Sequence, residues 1–177
     1  MALAVAFLRG INVGGRVVKK EKLVDVFTKL GFEDVSTYKQ SGNMVFDTSE
    51  PGNERDRAKI EDRLRKALGY DVPAFIRTLE YLKKMVEKGP PGRRKSAGTS
   101  FLVTFLPDLL PNPLPDLPLV IPGSTAKIVS ASGLEVYSLS HGGGEGGLPN
   151  QFLEAKLKVK TTTRNMNVVR EIVQRYG

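Results

Sequence analysis

The sequence predicts an α+β protein of two ferredoxin-like halves with antiparallel sheets, residues 1–88 and 89–177, the second half smaller and degenerate. Three observations carry that expectation. The first half reads strand, helix, strand, strand, helix, strand, which is the split βαβ order. A Gly/Pro-rich stretch from Gly89 to Gly98 divides the chain near its middle. The second half then echoes the first, with its first helix broken by proline.

Ala2 to Leu8 is a short apolar run stopped by Arg9-Gly10, the signature of a central strand covered on both faces. After the loop Gly10 to Gly15, the positions Leu23, Val26, Phe27 and Leu30 recur at helical spacing from Lys20 to Leu30, and Gly31 is a helix stop. Val35 to Gln40 and Met44 to Asp47 are strand-like runs joined by Ser41-Gly42-Asn43, the chemistry of a tight hairpin turn. Ile60, Leu64, Ala67 and Leu68 mark a second helix, Pro73 to Thr78 a fourth strand, and Leu79 to Lys88 a linking helix. In the second half Thr99 to Leu106 reads as a strand, and Lys127 to Ala131 with Leu134 to Ser140 as a hairpin around Ser132-Gly133. Pro107 to Pro118 holds five prolines, too many for a helix interior. Pro149 suits the first turn of a helix running to about Leu157, and Val169, Ile172, Val173 and Tyr176 give a C-terminal helix its apolar face.

With 40% apolar and 26% charged residues the chain is globular and has enough apolar surface for a core. Its net charge of +8 divides evenly, +4 before and +4 after Lys88, so no basic tail exists. That balance favours anionic partners and says nothing about fold. The densest cationic run, Arg93-Arg94-Lys95, sits in the Gly/Pro-rich stretch and reads as a solvated loop. The absence of cysteine excludes disulfides, thiolate nucleophiles and thiolate metal sites, and fits a reducing, cytoplasmic setting. No membrane partner is expected: the apolar run at the N-terminus lacks a preceding basic residue and is interrupted by Arg9. His141 is the single histidine, so no histidine metal cluster forms, and the carboxylates have no ligand-like spacing. No metal is therefore expected, and no cofactor is named by the sequence.

Three polar segments stand out: Arg9-Gly10-Ile11-Asn12-Val13-Gly14-Gly15, Ser41-Gly42-Asn43, and Thr163-Arg164-Asn165-Met166-Asn167. In a split βαβ unit the first two strands run the same way, so the first two segments share one sheet edge, clustering Arg9, Asn12, Lys39, Ser41 and Asn43. One reading is purely structural: glycine permits positive φ, and Asn and Ser satisfy loop backbone. The chemical reading is an anion site of backbone N–H groups in a glycine loop, with charge from Arg9, Lys39 or Arg164. The candidate ligand-binding set is Arg9, Asn12, Gly14, Gly15, Lys39, Ser41, Asn43, Arg164 and Asn165. Asn165 also suits a cap for the last helix, beside which Arg164 reads as an exposed arginine. No phosphate-binding fingerprint of G-x-G-x-x-G or G-K-[ST] type is present.

The sequence FLRGINVGG, then LGFEDVSTYKQSGNMVF, then TTTRNMN resembles, in the same order, the domain of unknown function 1697 family. The resemblance implies two ferredoxin-like subdomains and carries no established activity. It marks Arg9, Gly10, Asn12, Gly14, Gly15, Tyr38, Ser41, Gly42, Asn43, Thr163, Arg164, Asn165 and Asn167 as motif positions without giving them roles. The chain departs from the family pattern in three places. Val17-Val18-Lys19-Lys20 lacks a Pro-Met pair, Met166 stands where Trp is usual, and Glu145 sits in a loop where a basic turn is expected.

Three functions are consistent with these residues. The first is binding, with or without catalytic turnover, of an anionic small ligand such as a nucleotide or phosphate ester in a cleft formed by the three segments. The second is RNA binding across a ferredoxin-like sheet, aided by the charge, although QSGNMVFD lacks the RNA-recognition strand pattern and no open aromatic platform is evident. The third is a protein-interaction module. They differ in what they require: a polar cleft, an uncovered sheet with aromatics, or a large apolar patch.

Overall fold

The computed structural model describes residues 1–39, 42–49, 54–89, 98–110, 114, 117–141 and 149–177. The Arg93-Arg94-Lys95 run and the Gly142 to Gly147 loop lie outside them. Two compact units are present, Met1–Lys84 with Tyr176–Gly177, and Met85–Arg175. Each has its own antiparallel sheet, and the protein is α+β.

In the first unit the order is β1 (Ala2–Leu8), α1 (Lys20–Thr28), β2 (Glu33–Thr37), β3 (Asn43–Thr48), α2 (Glu54–Leu68) and β4 (Ala74–Thr78), followed by α3 (Leu79–Lys88), within which the unit changes. The sheet order is β2-β3-β1-β4, the arrangement of a split βαβ fold. β1 is central because it is apolar on both faces. Ala4, Ala6 and Leu8 pack with Phe46, Ile60, Leu64 and Phe27 in a core under the two helices, and Val5 and Phe7 on the opposite face are buried as well. The alanines leave room for aromatics, and Phe46 stands 5.2 Å from Phe27 and 4.6 Å from Phe32, centroid to centroid. Several boundaries differ from the sequence expectation by a residue or two, and the second strand differs most, starting at Glu33 instead of Val35. The strand read as Val35 to Gln40 ends at Thr37, because Lys39 takes a left-handed φ of 56° and turns the chain toward β3 early.

The second unit contains β5 (Thr99–Phe105), β6 (Leu119–Val120), β7 (Ala126–Ser132), β8 (Glu135–His141), α4 (Asn150–Leu157), β9 (Thr162–Asn165) and α5 (Met166–Tyr176, its last residue in the first unit). Its sheet runs β6-β7-β8-β5-β9, so the last four strands repeat the order of the first unit. No helix occurs among the described residues between β5 and β7. Instead the proline-rich segment supplies Leu110, Leu114, Leu117 and Ile121 to the core around Ile128, Val136 and Leu153. Two strands, β6 and β9, were not expected from the sequence. β9 is built from Thr-Thr-Arg-Asn, which carries no apolar alternation, and its pairing with β5 aligns Thr163 with Thr104.

Candidate functional site

The end of β1 and the start of β3 meet at one sheet edge. Phe7 pairs with Asn43, and the Leu8 amide donates to the Gly42 carbonyl at 2.8 Å. The loop after β1 and the β2–β3 turn are therefore adjacent, as the split βαβ order requires.

The loop is held in shape by its own residues. Gly10, Asn12, Gly14 and Gly15 all have positive φ, which folds the chain back on itself. The Asn12 Oδ1 accepts from the Val18 amide at 2.7 Å, and the Arg16 guanidinium lies 4.2 Å from the centroid of the Tyr70 ring. The Arg9 amide donates to the Pro73 carbonyl at 2.9 Å. Asn12 thus closes the loop, while Val18 packs against the core and Val17 is left 84% exposed.

Across from the loop, the turn is closed by Asn43. Its Nδ2 donates to the Tyr38 carbonyl at 2.9 Å, and the Tyr38 amide donates to the Asn43 carbonyl at 2.9 Å. Asn43 is fully buried, so its side chain is a structural clasp. Lys39, next to the clasp, is exposed, with its Nζ 5.5 Å from the Tyr38 ring centroid. Ser41 lies outside the described residues.

Between loop, turn and helix lies a cavity of ≈ 410 Å³. The loop contributes Asn12, Val17 and Val18 to its lining. The start of α1 contributes Lys19, Lys20, Glu21 and Leu23, and the hairpin contributes Thr37, Lys39 and Gly42. The lining thus holds three lysines and one carboxylate, a local excess of positive charge, with Lys20 Nζ 4.0 Å from Glu21 Oε1. Lys19, the N-cap of α1, is extended and makes no side-chain cap, because lysine has no acceptor to offer the first-turn amides. The first-turn N–H groups of α1 form a positive helix end beside the same lysines.

The third segment belongs to the second unit, and its polar atoms are engaged there. Thr163 Oγ1 lies 2.8 Å from Thr104 Oγ1 and donates to Asn150 Oδ1. Asn165 Oδ1 accepts from the Asn167 amide at 2.9 Å, capping α5 as expected. Arg164 is not an exposed arginine. It is half-buried, its Nη1 donates to Thr162 Oγ1 at 2.8 Å and to the Thr163 carbonyl at 3.0 Å, and burial lowers its guanidinium to about 10.

Of the sequence-derived candidates, Asn12 and Lys39 line the cavity. Arg9, Gly14, Gly15 and Asn43 shape the loop and turn around it and are not among its lining residues. The residues that sequence reasoning passed over are Lys19, Lys20, Thr37 and the apolar Val17, Val18 and Leu23. The available signal was the missing cap residue at the start of α1, which leaves a basic pair where Ser, Thr, Asp or Asn is usual.

A conserved bacterial protein from Streptococcus pneumoniae, SP0830, has a similar solved structure, with a TM-score of 0.68 and 21% identity over 99% of this chain and 98% of that one. This likeness shows the fold. No curated protein matches the chain. The two N-terminal motifs fall within a family match that ends before the TTTRNMN segment. On that match over residues 1–117, the chain belongs to the family described as protein of unknown function (DUF1697).

Proposed function

We propose that the first unit binds a small anionic ligand of the nucleotide or phosphate-ester class in the cavity between the Gly10 to Lys19 loop, the start of α1 and the β2–β3 turn. The observation that carries this reading is the convergence of Lys19 and Lys20 from the helix start with Lys39 from the hairpin on one ≈ 410 Å³ cavity. Cations supplied by separate elements and held beside an uncapped helix end favour a multivalent oxyanion. Thr37 adds a hydroxyl, and the Asn12 side chain fixes the loop that forms one wall. The lining supports binding more than turnover: among its described residues Glu21 is the lone carboxylate, with no second carboxylate to pair with it as acid and base.

RNA recognition across a ferredoxin-like sheet uses exposed aromatics for base stacking. Phe7 and Phe75, the aromatics of β1 and β4, are at most 2% exposed, so the anion reading is the better supported of the two. Calorimetric titration of the full chain with a nucleoside monophosphate tests it. Saturable binding that weakens about tenfold in Lys20→Gln and again in Lys39→Gln is expected, since each removes one charge-assisted contact. Affinity undiminished in the double variant would contradict the reading.

A further inference from the structure

The cavity is lined by residues of two kinds. Lys19, Lys20 and Lys39 lie on its lining with exposed side chains, whereas Leu23 belongs to the hydrophobic core and Val18 packs against that core. Half-buried Val18 is thus an accessible edge of the core, beside Leu23, which is only 3% exposed. Val17 extends this apolar surface outward; it is 84% exposed and belongs to no core, although a β-branched apolar residue in a glycine-rich loop has no folding role at such exposure.

Size points the same way. A bare phosphate displaces only a few waters, each of about 30 Å³. The ≈ 410 Å³ cavity instead falls in the range of roughly 300–1,000 Å³ that holds whole organic ligands. An inorganic anion would sit against the lysines and leave the apolar surface of Val17 and Val18 wet, gaining nothing from it.

From this, and resting on the anion reading above, we infer that the ligand is amphiphilic: a phosphate monoester whose ester group is flat and apolar, aryl or nucleobase-like, with the phosphate toward Lys19, Lys20 and Lys39 and the apolar group on Val17, Val18 and Leu23. The apolar wall then sets selectivity among anions, while the lysines set affinity for the phosphate common to all of them.

The test compares inorganic phosphate with phenyl phosphate by calorimetry, on the full chain and on Val17→Ser, whose exposure makes it neutral for folding. Phenyl phosphate is expected to bind about tenfold tighter than inorganic phosphate, because burying the ring outweighs its ordering cost. Val17→Ser should cut that preference by about threefold while leaving inorganic phosphate affinity unchanged. Equal affinity for the two probes would overturn the amphiphilic assignment and leave the anion site standing. A preference that persists undiminished in Val17→Ser would overturn the placement of the ring on this wall. Absence of binding by either probe would overturn the anion site and the inference together.

Discussion

Gly42 stands directly against Ile11: a Cβ placed on Gly42 would lie 3.0 Å from the Ile11 Cβ and 3.1 Å from the Leu8 Cβ. Both neighbours are core residues whose Cβ atoms are fixed to the backbone and cannot swing aside. Gly42 also has φ of +73°, a region in which side chains are strained. The contact ties the turn to the loop after β1 at the mouth of the cavity.

Gly42→Ala is therefore expected to lower stability by about 2 kcal/mol or more, strain and overpacking acting together. The urea midpoint measures it. An unchanged midpoint would show that the turn yields without cost.

Lys39 gives the opposite expectation. Its left-handed φ of 56° is a conformation that glycine adopts freely, so Lys39→Gly should leave stability unchanged or raise it by up to about 1 kcal/mol. Anion affinity should fall about tenfold in the same variant. Thermal unfolding and titration run together separate the two effects, and a variant that binds as before would remove Lys39 from the site.

In the second unit Thr104, Thr163 and Asn150 share buried hydroxyl and amide contacts that join β5, β9 and α4. Thr163→Val preserves the shape and deletes the hydroxyl, leaving Asn150 Oδ1 and Thr104 Oγ1 with one partner fewer. A loss of about 1–3 kcal/mol is expected from denaturant unfolding. A neutral result would mean that the network contributes nothing to the fold.

This network also explains what was legible in the sequence. Elements with an apolar period were readable: β1 from Ala2 to Leu8, α2 around Ile60 and Leu64, and α5 from Val169 and Ile172. β9 was not, because its inward positions are threonines that bury hydroxyls instead of methyl-rich side chains, and β6 has only two residues. The adjacency of the Gly10 to Gly15 loop with Gly42 and Asn43 followed from strand order alone. The role of Asn43 did not, since an asparagine that clasps its own hairpin and one that contacts a ligand look alike in a sequence. Lys19 and Lys20 were hidden for a related reason: a basic pair at a helix start reads as solvated surface until the facing turn is in place.

Arg164 makes a pH prediction. Burial lowers its guanidinium to about 10, below its ordinary value in the unfolded chain, so between about 10 and that ordinary value the unfolded state binds more protons. Stability attributable to this group therefore rises with pH through that window and is constant below it, where both states are charged. The stability difference between the native chain and Arg164→Gln should be flat from pH 6 to pH 9 and shift in favour of the native chain above about pH 10. A slope between pH 6 and pH 9 would show that another group is coupled to Arg164.

Amide chemical-shift mapping of the ¹⁵N-labelled full chain during titration with phenyl phosphate is the decisive measurement for an anion site in the first unit. Saturable shifts are expected to concentrate on Asn12, Val17 to Glu21, Leu23, Thr37, Lys39 and Gly42, the residues that line the cavity. Saturable shifts centred elsewhere, or none at the amides of these residues, would contradict that site.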